Sequence, residues 1–387
     1  MDYAVVVTQT LGLEALDADG ARRFHHVPGL DGIRAIAVLL VIGLHYGSLW
    51  RSPARPAGPI PGGYAGVDIF FVLSGFLITT LLVGEKANTG GVGFKKFYAR
   101  RALRLLPALY TVLIAFLLYT VSTGGSLQEA AKEVASVVLY VSNFAQVYKL
   151  PKMIGSGIGM TWSLAIEEQF YLVWPALLVL GVLRFAKSRP AVLGTIGAGI
   201  VVSALVRAVI WHGGTGYPAA YMRPDARADG LLIGALCAFL WRWDMVPTRW
   251  LSHAAVVSAA FLAFVALFLK ANTSDDDFVF VAGFTLISLA SGIVVLAVVL
   301  NRGPLVRPLE WAPLRMIGRV SYGLYLWQIL ALKIAAHALG KNDRVVLALA
   351  GLAIMTVAVT ASWLLVEQPF LRLKRRVASP VPHEGPA

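Results

Sequence analysis

Cysteine is almost missing from this chain, and charge is scarce. One cysteine, Cys237, stands among 387 residues, so no disulfide can close within the chain and nothing is learned about its redox compartment. The seven histidines offer no cluster with metal-ligand spacing, and no metal site is expected. His25, His26 and His383 lie in terminal regions, while His212, His253 and His337 sit near the ends of apolar segments. Charged residues make up only 14% of the chain, too few to cover a soluble domain of this size. Long polar stretches are missing too, which leaves no room for a second globular domain. There is no internal repeat, and no inverted pair of Gly/Pro-broken segments of the kind transporters often carry. The first thirty residues place Asp2, Glu14, Asp17 and Asp19 ahead of Arg22 and Arg23. That is not a basic stretch followed by an apolar core, so no cleavable signal peptide is expected.

What remains is apolar. The AVILMFWYC residues reach 58% and mean hydropathy is +0.71. At roughly 20 apolar residues per spanning helix, the chain has room for about ten crossings with short loops. The net charge of +13, from 34 Lys and Arg against 21 Asp and Glu, would suggest nucleic acid in a soluble protein. In a membrane protein, cytoplasmic loops collect Lys and Arg, and no nucleic acid is needed to explain it.

Apolar segments fall near 33–50, 64–83, 105–122, 131–147, 160–183, 191–211, 228–240, 251–269, 278–300, 317–338 and 345–366. Three basic connections, 86–104, 302–319 and 372–376, should all be cytoplasmic. Eleven crossings cannot satisfy that; ten can, if the weakest segment, 131–147, is a re-entrant or interfacial helix. Inner connections then carry 21 basic residues and outer ones 10, with Arg34, Arg207 and Lys333 left in the spans. The expected fold is all-α: a polytopic transmembrane helical bundle of about ten spans, because a chain in lipid must satisfy its backbone within each helix. The expected organisation is a cytoplasmic N-terminal segment 1–29, a membrane domain 30–371 and a basic cytoplasmic tail 372–387. The cell membrane is the expected location, and both termini are expected inside.

Ionisable groups within spans are expensive, and each is a functional candidate. From Arg34 to His45 is eleven steps, which at about 100° each return to nearly the same helix face roughly 16 Å further on. Asp31 lies within about 40° of that face. Neutral imidazole can take a proton from a hydroxyl near pH 7, so His45 is the most useful of the three. The plainer alternative is a snorkelling Arg34 and a His45 bonded to a neighbouring helix. Asp68, in the run Gly63 to Phe76, is a buried-carboxylate candidate, and Gly66 and Ser74-Gly75 suit close helix contact.

Further candidates follow along the chain. Arg100, Arg101 and Arg104 lie in the basic connection, with Arg101 and Arg104 neighbours on one helical face. Guanidinium forks suit the phosphates of coenzyme A, and would equally suit anionic lipid. Glu167 and Glu168 follow Trp162 in a largely apolar segment; either carboxylate could orient an imidazole or form a structural ion pair. The stretch Arg223 to Gly230 puts Asp225 and Asp229 on one face around Arg227, which reads as an outer polar patch. Tyr322, Tyr325 and Gln328 bring hydroxyls and an amide to one helix, although an aromatic belt looks similar.

Taken together, these segments resemble the membrane-bound acyltransferase-3 family, from Leu30-Asp31-Gly32-Ile33-Arg34 to Glu367-Gln368-Pro369-Phe370. Four features match in order: the Arg34 to His45 spacing, Gly66-Val67-Asp68 through Gly75-Phe76, Arg101-x-x-Arg104, and Trp162-Ser163-Leu164 through Glu167-Glu168-Gln169-Phe170-Tyr171. The resemblance implies a ten-helix acyl-CoA-dependent O-acyltransferase, with His45 essential and Arg101 and Arg104 attending the donor, acetyl-CoA above others. The residues themselves add Glu167 or Glu168, with Arg34, in support of His45, and Asp31, Asp68, Trp162, Tyr322 and Tyr325 as candidates to line the substrate path. Members often carry His where this chain has Gln328. Some members append an extracytoplasmic esterase-like domain; here the chain ends eleven residues after Arg376, which suggests transfer completed within the membrane domain. Its length is similar to the branch that acylates macrolide antibiotics, so a small-molecule hydroxyl acceptor of that kind is the first expectation. A cell-envelope glycan is the alternative acceptor, and a proton-coupled transporter the alternative of another class. A homo-oligomer is among the outcomes the sequence leaves open.

Overall fold

The computed structural model describes residues 24–51, 58–149, 156–186, 188–214, 216–269, 277–340 and 343–372, and every regular element among them is a helix. In chain order these are α1 (Pro28–Gly47), α2 (Ala65–Thr89), α3 (Phe94–Ser122), α4 (Leu127–Val138), α5 (Ser142–Val147), α6 (Thr161–Ala176), α7 (Arg189–His212) and α8 (Gly216–Met222). They continue as α9 (Pro224–Arg242), α10 (Thr248–Phe268), α11 (Phe284–Val299), α12 (Val306–Leu309), α13 (Ala312–Arg319), α14 (Ser321–Leu339) and α15 (Arg344–Ala361). One-turn π segments extend α6 and α15 and lead into α11.

Among the described residues, eight helices are long and apolar enough to cross a membrane: α1, α2, α3, α6, α7, α10, α11 and α15, with their extensions. This is a multi-pass membrane protein. Two further helices, α9 and α14, lie where the sequence places the remaining crossings. Each is 19 residues long. Asp225, Arg227, Asp229 and Arg242 interrupt one, and Gln328, Lys333 and His337 the other, which lowers their apolarity. The segment 131–147 forms two short helices, α4 of 12 residues and α5 of 6. Neither reaches the roughly 30 Å of a bilayer core at about 1.5 Å per residue. Ser126 starts α4 by accepting the Glu129 backbone N–H on its side chain, as helix N-caps do.

The helices form two compact units. The first holds residues up to Leu44, Ile60–Val92 and Ile166–Arg319. Its centre is the packing of α2 against α9, which is close because glycines face backbone. A Cβ on Gly75 would stand 1.8 Å from the Leu231 carbonyl oxygen, and one on Gly234 2.1 Å from that of Val72. Of the small residues marked in the sequence, Gly75 is therefore a helix contact, and so is Gly66, where a Cβ would stand 2.2 Å from the Ala37 carbonyl oxygen.

Around that seam two arginines are fully buried. Arg227 donates to Asp68, and its guanidinium carbon lies 3.9 Å from the centre of the Phe284 ring. Arg207 donates to Asp229 at 2.8 Å, to the Ala226 and Phe280 carbonyls, and to Thr285. The expected outer polar patch of Asp225, Arg227 and Asp229 is thus corrected. Only Asp225 stays at the surface, paired with Arg223 at 2.6 Å; the other two face α2 and α7 inside the bundle.

The second unit holds His45–Pro59, Gly93–Ala165 and the residues from Val320 onward. There α14 packs on α15 and on α3, with α4 beside α3 and α5 against α4. Most of 1–29, and all but the first residue of the tail 372–387, lie outside the described residues.

Two tests follow from this architecture. Reporter fusions at the two ends of the chain should both report the cytoplasmic side, since basic residues favour the inner connections by 21 to 10. One outward-facing end would mean an odd number of crossings. Replacing Asp68 with Ala strands Arg227, and leaving one buried charge without its partner costs about 3–5 kcal/mol. Thermal unfolding in detergent should show the loss, and the paired change Asp68→Leu with Arg227→Met should recover much of it.

Candidate active site

His45 lies in the last turn of α1 and belongs to the second unit, half-buried. Its Nδ1 is 3.2 Å from Oε1 of Gln328 on α14. The Gln328 amide nitrogen donates to the Tyr325 carbonyl at 3.0 Å, which fixes which way the amide points. Its oxygen must then face His45, and an oxygen only accepts. Nδ1 therefore carries the imidazole proton, and Nε2 is the basic nitrogen. Gln328 is completely buried, and its neutral amide holds this tautomer without adding charge.

One turn back along α14, the Tyr325 hydroxyl donates to the Met160 carbonyl at 2.9 Å and shares a short hydrogen bond with Ser163. Trp162 is buried beside Ser163 in the first turn of α6. A further turn back, the Tyr322 hydroxyl donates to the Leu105 carbonyl of α3 at 3.3 Å. Leu105 adjoins Arg104, so α14 connects the arginine-bearing part of α3 to His45. From Tyr322 to Gln328 the rise is about 9 Å.

Arg100, Arg101 and Arg104 all lie in the N-terminal half of α3, the first two half-buried and Arg104 exposed. Guanidinium groups are of the kind that meets phosphates in paired N–H contacts.

The remaining candidates belong to the first unit. Asp31 is buried and is the anchor of a cation cluster: His26 at 3.1 Å, Arg319 at 3.7 Å and Arg34 at 3.8 Å. Arg34 stands eleven residues before His45 on one continuous helix, about 16 Å along its axis, and its guanidinium lies 3.8 Å from Asp31. Asp68 is engaged with Arg227. Glu167 accepts from the Tyr171 hydroxyl at 3.3 Å, and Glu168 lies beside it, half-buried, one residue on along α6.

The residue that reading the sequence left out of the site is Gln328. Its departure from the usual histidine was visible; its place against His45, 283 residues away in sequence, was not. Among the described residues no group of His, Cys, Asp and Glu could hold a metal.

The fold is that of a multi-pass membrane protein, and in its second unit one imidazole is held against a buried amide. The sequence matches the acyltransferase domain family Acyl_transf_3 over residues 27–367, and the chain belongs to that family of acyltransferases. It is 36% identical over 318 residues to "Putative peptidoglycan O-acetyltransferase YrhL" of Bacillus subtilis (strain 168), covering 78% of this chain and 48% of that one. It is 32% identical over 313 residues to "Peptidoglycan O-acetyltransferase OatA" of Listeria monocytogenes, covering 78% and 49%. "Putative O-acetyltransferase SACOL0978" of Staphylococcus aureus (strain COL) is 32% identical over 317 residues, covering 79% and 50%. The chain spans about half the length of the curated relatives it matches. No solved structure matches it.

Gln328→Leu removes the acceptor from His45 Nδ1, and loss of such a supporting hydrogen bond typically costs about 10–100-fold in activity. Gln328→Glu should restore the hydrogen bond while adding a negative charge that favours imidazolium. The acid limb of its pH–rate profile should then move to higher pH. An unchanged profile would show that Gln328 only fills space.

Proposed function

We propose that this protein transfers an acetyl group from acetyl-CoA to a hydroxyl of a cell-envelope glycan, with His45 as general base. The observation that carries this is the His45–Gln328 hydrogen bond, which presents Nε2 as a proton acceptor. Arg101 and Arg104, with Arg100, receive the phosphates of coenzyme A. The acceptor oxygen attacks the thioester carbonyl as Nε2 takes its proton. The carbon–sulfur bond then breaks, and the imidazolium returns its proton to the departing coenzyme A thiolate. An acyl-histidine intermediate is the two-step variant: Nε2 attacks the thioester carbonyl and the carbon–sulfur bond breaks to release coenzyme A thiolate. The glycan hydroxyl then attacks the acyl-imidazole, the carbon–nitrogen bond breaks, and the hydroxyl proton passes to the thiolate or the freed imidazole.

The glycan acceptor rests on the names of the relatives, two of which refer to peptidoglycan. No relative named above refers to a macrolide, so the glycan reading takes precedence over the small-molecule acceptor. Membership in an acyltransferase family, together with the held imidazole, also favours transfer over proton-coupled transport.

Purified protein given acetyl-CoA, chitotetraose and a hydroxylated macrolide should acetylate the oligosaccharide, read by mass spectrometry. Acetylation of the macrolide alone would reverse the assignment of the acceptor. His45→Ala should cost about 10²–10⁴-fold in turnover per folded molecule while leaving donor binding in place. Turnover near the wild-type rate would remove His45 from the mechanism. Arg101→Ala and Arg104→Ala should each raise KM for acetyl-CoA about ten-fold or more, since a charge-assisted phosphate contact contributes roughly 1.5–3 kcal/mol. KM for the acceptor should hold. A fall in membrane yield at unchanged KM would instead mark the arginines as lipid contacts.

A further inference from the structure

A second polar site lies in the same unit as His45 and has no part in the mechanism above. It is a pocket of about 290 Å³ between α3, α4, α14 and the residues leading into α6. Tyr119, Ser126, Glu129, Glu133, Ser156 and Lys333 line it. The volume is at the low end of small-ligand sites, which run to roughly 300–1,000 Å³, and suits one ring better than a chain.

The position of the pocket is set by α3 and α14. Arg101 and Thr120, which also lines the pocket, are nineteen residues apart on one helix, about 28 Å along the axis and close to the thickness of a bilayer core. On α14, Lys333 lies five residues beyond Gln328, about 7.5 Å. In order along α14 come Tyr322 at the arginine level, Gln328 at His45, then Lys333 at the pocket. His45 thus stands between a cationic end fit for a nucleotide donor and a pocket at the opposite end.

The chemistry of the pocket favours an uncharged polar ligand. Glu129 is paired with Lys132 at 2.7 Å. Burial pushes the Glu133 carboxyl up, against the Ser156 hydrogen bond and the Lys333 charge, which hold it down. Lys333 is the one ammonium group in the lining, and Lys132, outside it, offsets Glu129, so the four charges balance and neither a cation nor an anion has net charge to meet. Glu133 is only 9% exposed, yet its Oε2 has no hydrogen-bond partner among the described residues. A buried carboxylate oxygen left without a donor is costly, so the site is one hydrogen bond short. The aromatic rings of Tyr119 and Phe116 add apolar surface beside these groups. Hydroxyls for the carboxylate and C–H faces for the rings are what a neutral sugar ring supplies.

We propose that this pocket is a subsite for a neutral sugar ring of the acceptor, whose hydroxyl donates to Glu133 while another ring of the same glycan is acetylated at His45. The identity of the acceptor rests on the glycan reading above, but occupancy of the pocket can be measured without any transfer. The probe is chitotetraose, titrated calorimetrically into the full chain in detergent with no acyl donor present. Wild-type protein should bind it, and Glu133→Gln, which keeps the size of the side chain, should weaken binding about ten-fold, the value of a lost charge-assisted hydrogen bond. Lys333→Met should weaken it as well, whereas KM for acetyl-CoA should be unchanged in both variants.

Equal affinity in wild type and Glu133→Gln, or no binding by the wild type, would overturn the subsite. Glu133-dependent binding without transfer would uphold the subsite and remove the proposed reaction. Transfer to chitotetraose at unchanged acceptor KM in Glu133→Gln would do the reverse. If Glu133→Gln fails to fold, Ser156→Ala gives the same reading: weaker chitotetraose binding supports the subsite, and undiminished binding overturns it.

Discussion

A guanidinium taken into the bilayer must bring its counter-charge with it, and much of this structure is arranged around that constraint. Arg207 and Arg227 are completely enclosed, in surroundings where an unpaired charge is costly. Each has a carboxylate, Asp229 and Asp68, drawn from a different helix. The pairs therefore join α7 to α9 and α2 to α9. Close glycine contacts along α2 and α9 let the backbones approach far enough for these short side-chain bonds to form. Charge pairing and small-residue packing are thus one device seen from two sides. A larger residue at Gly75 or Gly234 would separate Asp68 from Arg227 as well as the helices that carry them.

The same constraint explains what could be read from the sequence and what could not. Hydropathy located the spans, because each long apolar run has to become a helix in lipid whatever it packs against. The weak segment 131–147 was legible as a non-crossing piece for the same reason, and it forms α4 and α5. The partners of the intramembrane charges were not legible. Helical periodicity put Asp225 and Asp229 near one face, but periodicity describes one helix and does not tell that Asp225 is exposed and Asp229 buried. Arg207, 22 residues before Asp229, and Asp68, 159 before Arg227, enter only through packing. Asp31 shows the limit in another way. Its spacing from Arg34 suggested one stripe leading to His45, whereas the folded chain makes it the centre of a cation cluster with Arg319 and His26.

The candidate site was legible as residue types and illegible as a geometry. His45, the arginines of α3 and the tyrosines of α14 all stood out, since each is a polar or charged group where an apolar one would fold as well. Their order, with arginines at one level, tyrosines next and His45 beyond, depends on α14 running alongside α3. Nothing in the sequence of either helix fixes that pairing. The pocket at Glu133 was still harder to see. It combines α3, α4 and α14 with residues before α6, and no two of its lining side chains form a recognisable motif.

Gln328 shows why the departure from a family's usual residue carries chemical information. A histidine there could accept from His45 Nδ1, but it could also take up a proton itself, and two neighbouring imidazoles would titrate as a coupled pair. An amide accepts the same hydrogen bond and stays neutral at every pH. Its orientation is fixed by the Tyr325 carbonyl, and Tyr325 is in turn fixed through its hydroxyl by Ser163 and the Met160 carbonyl. The tautomer of His45 is therefore set by a chain of hydrogen bonds that ends on backbone. That arrangement keeps the proton on Nδ1 and the lone pair on Nε2 over the whole range in which imidazole is neutral.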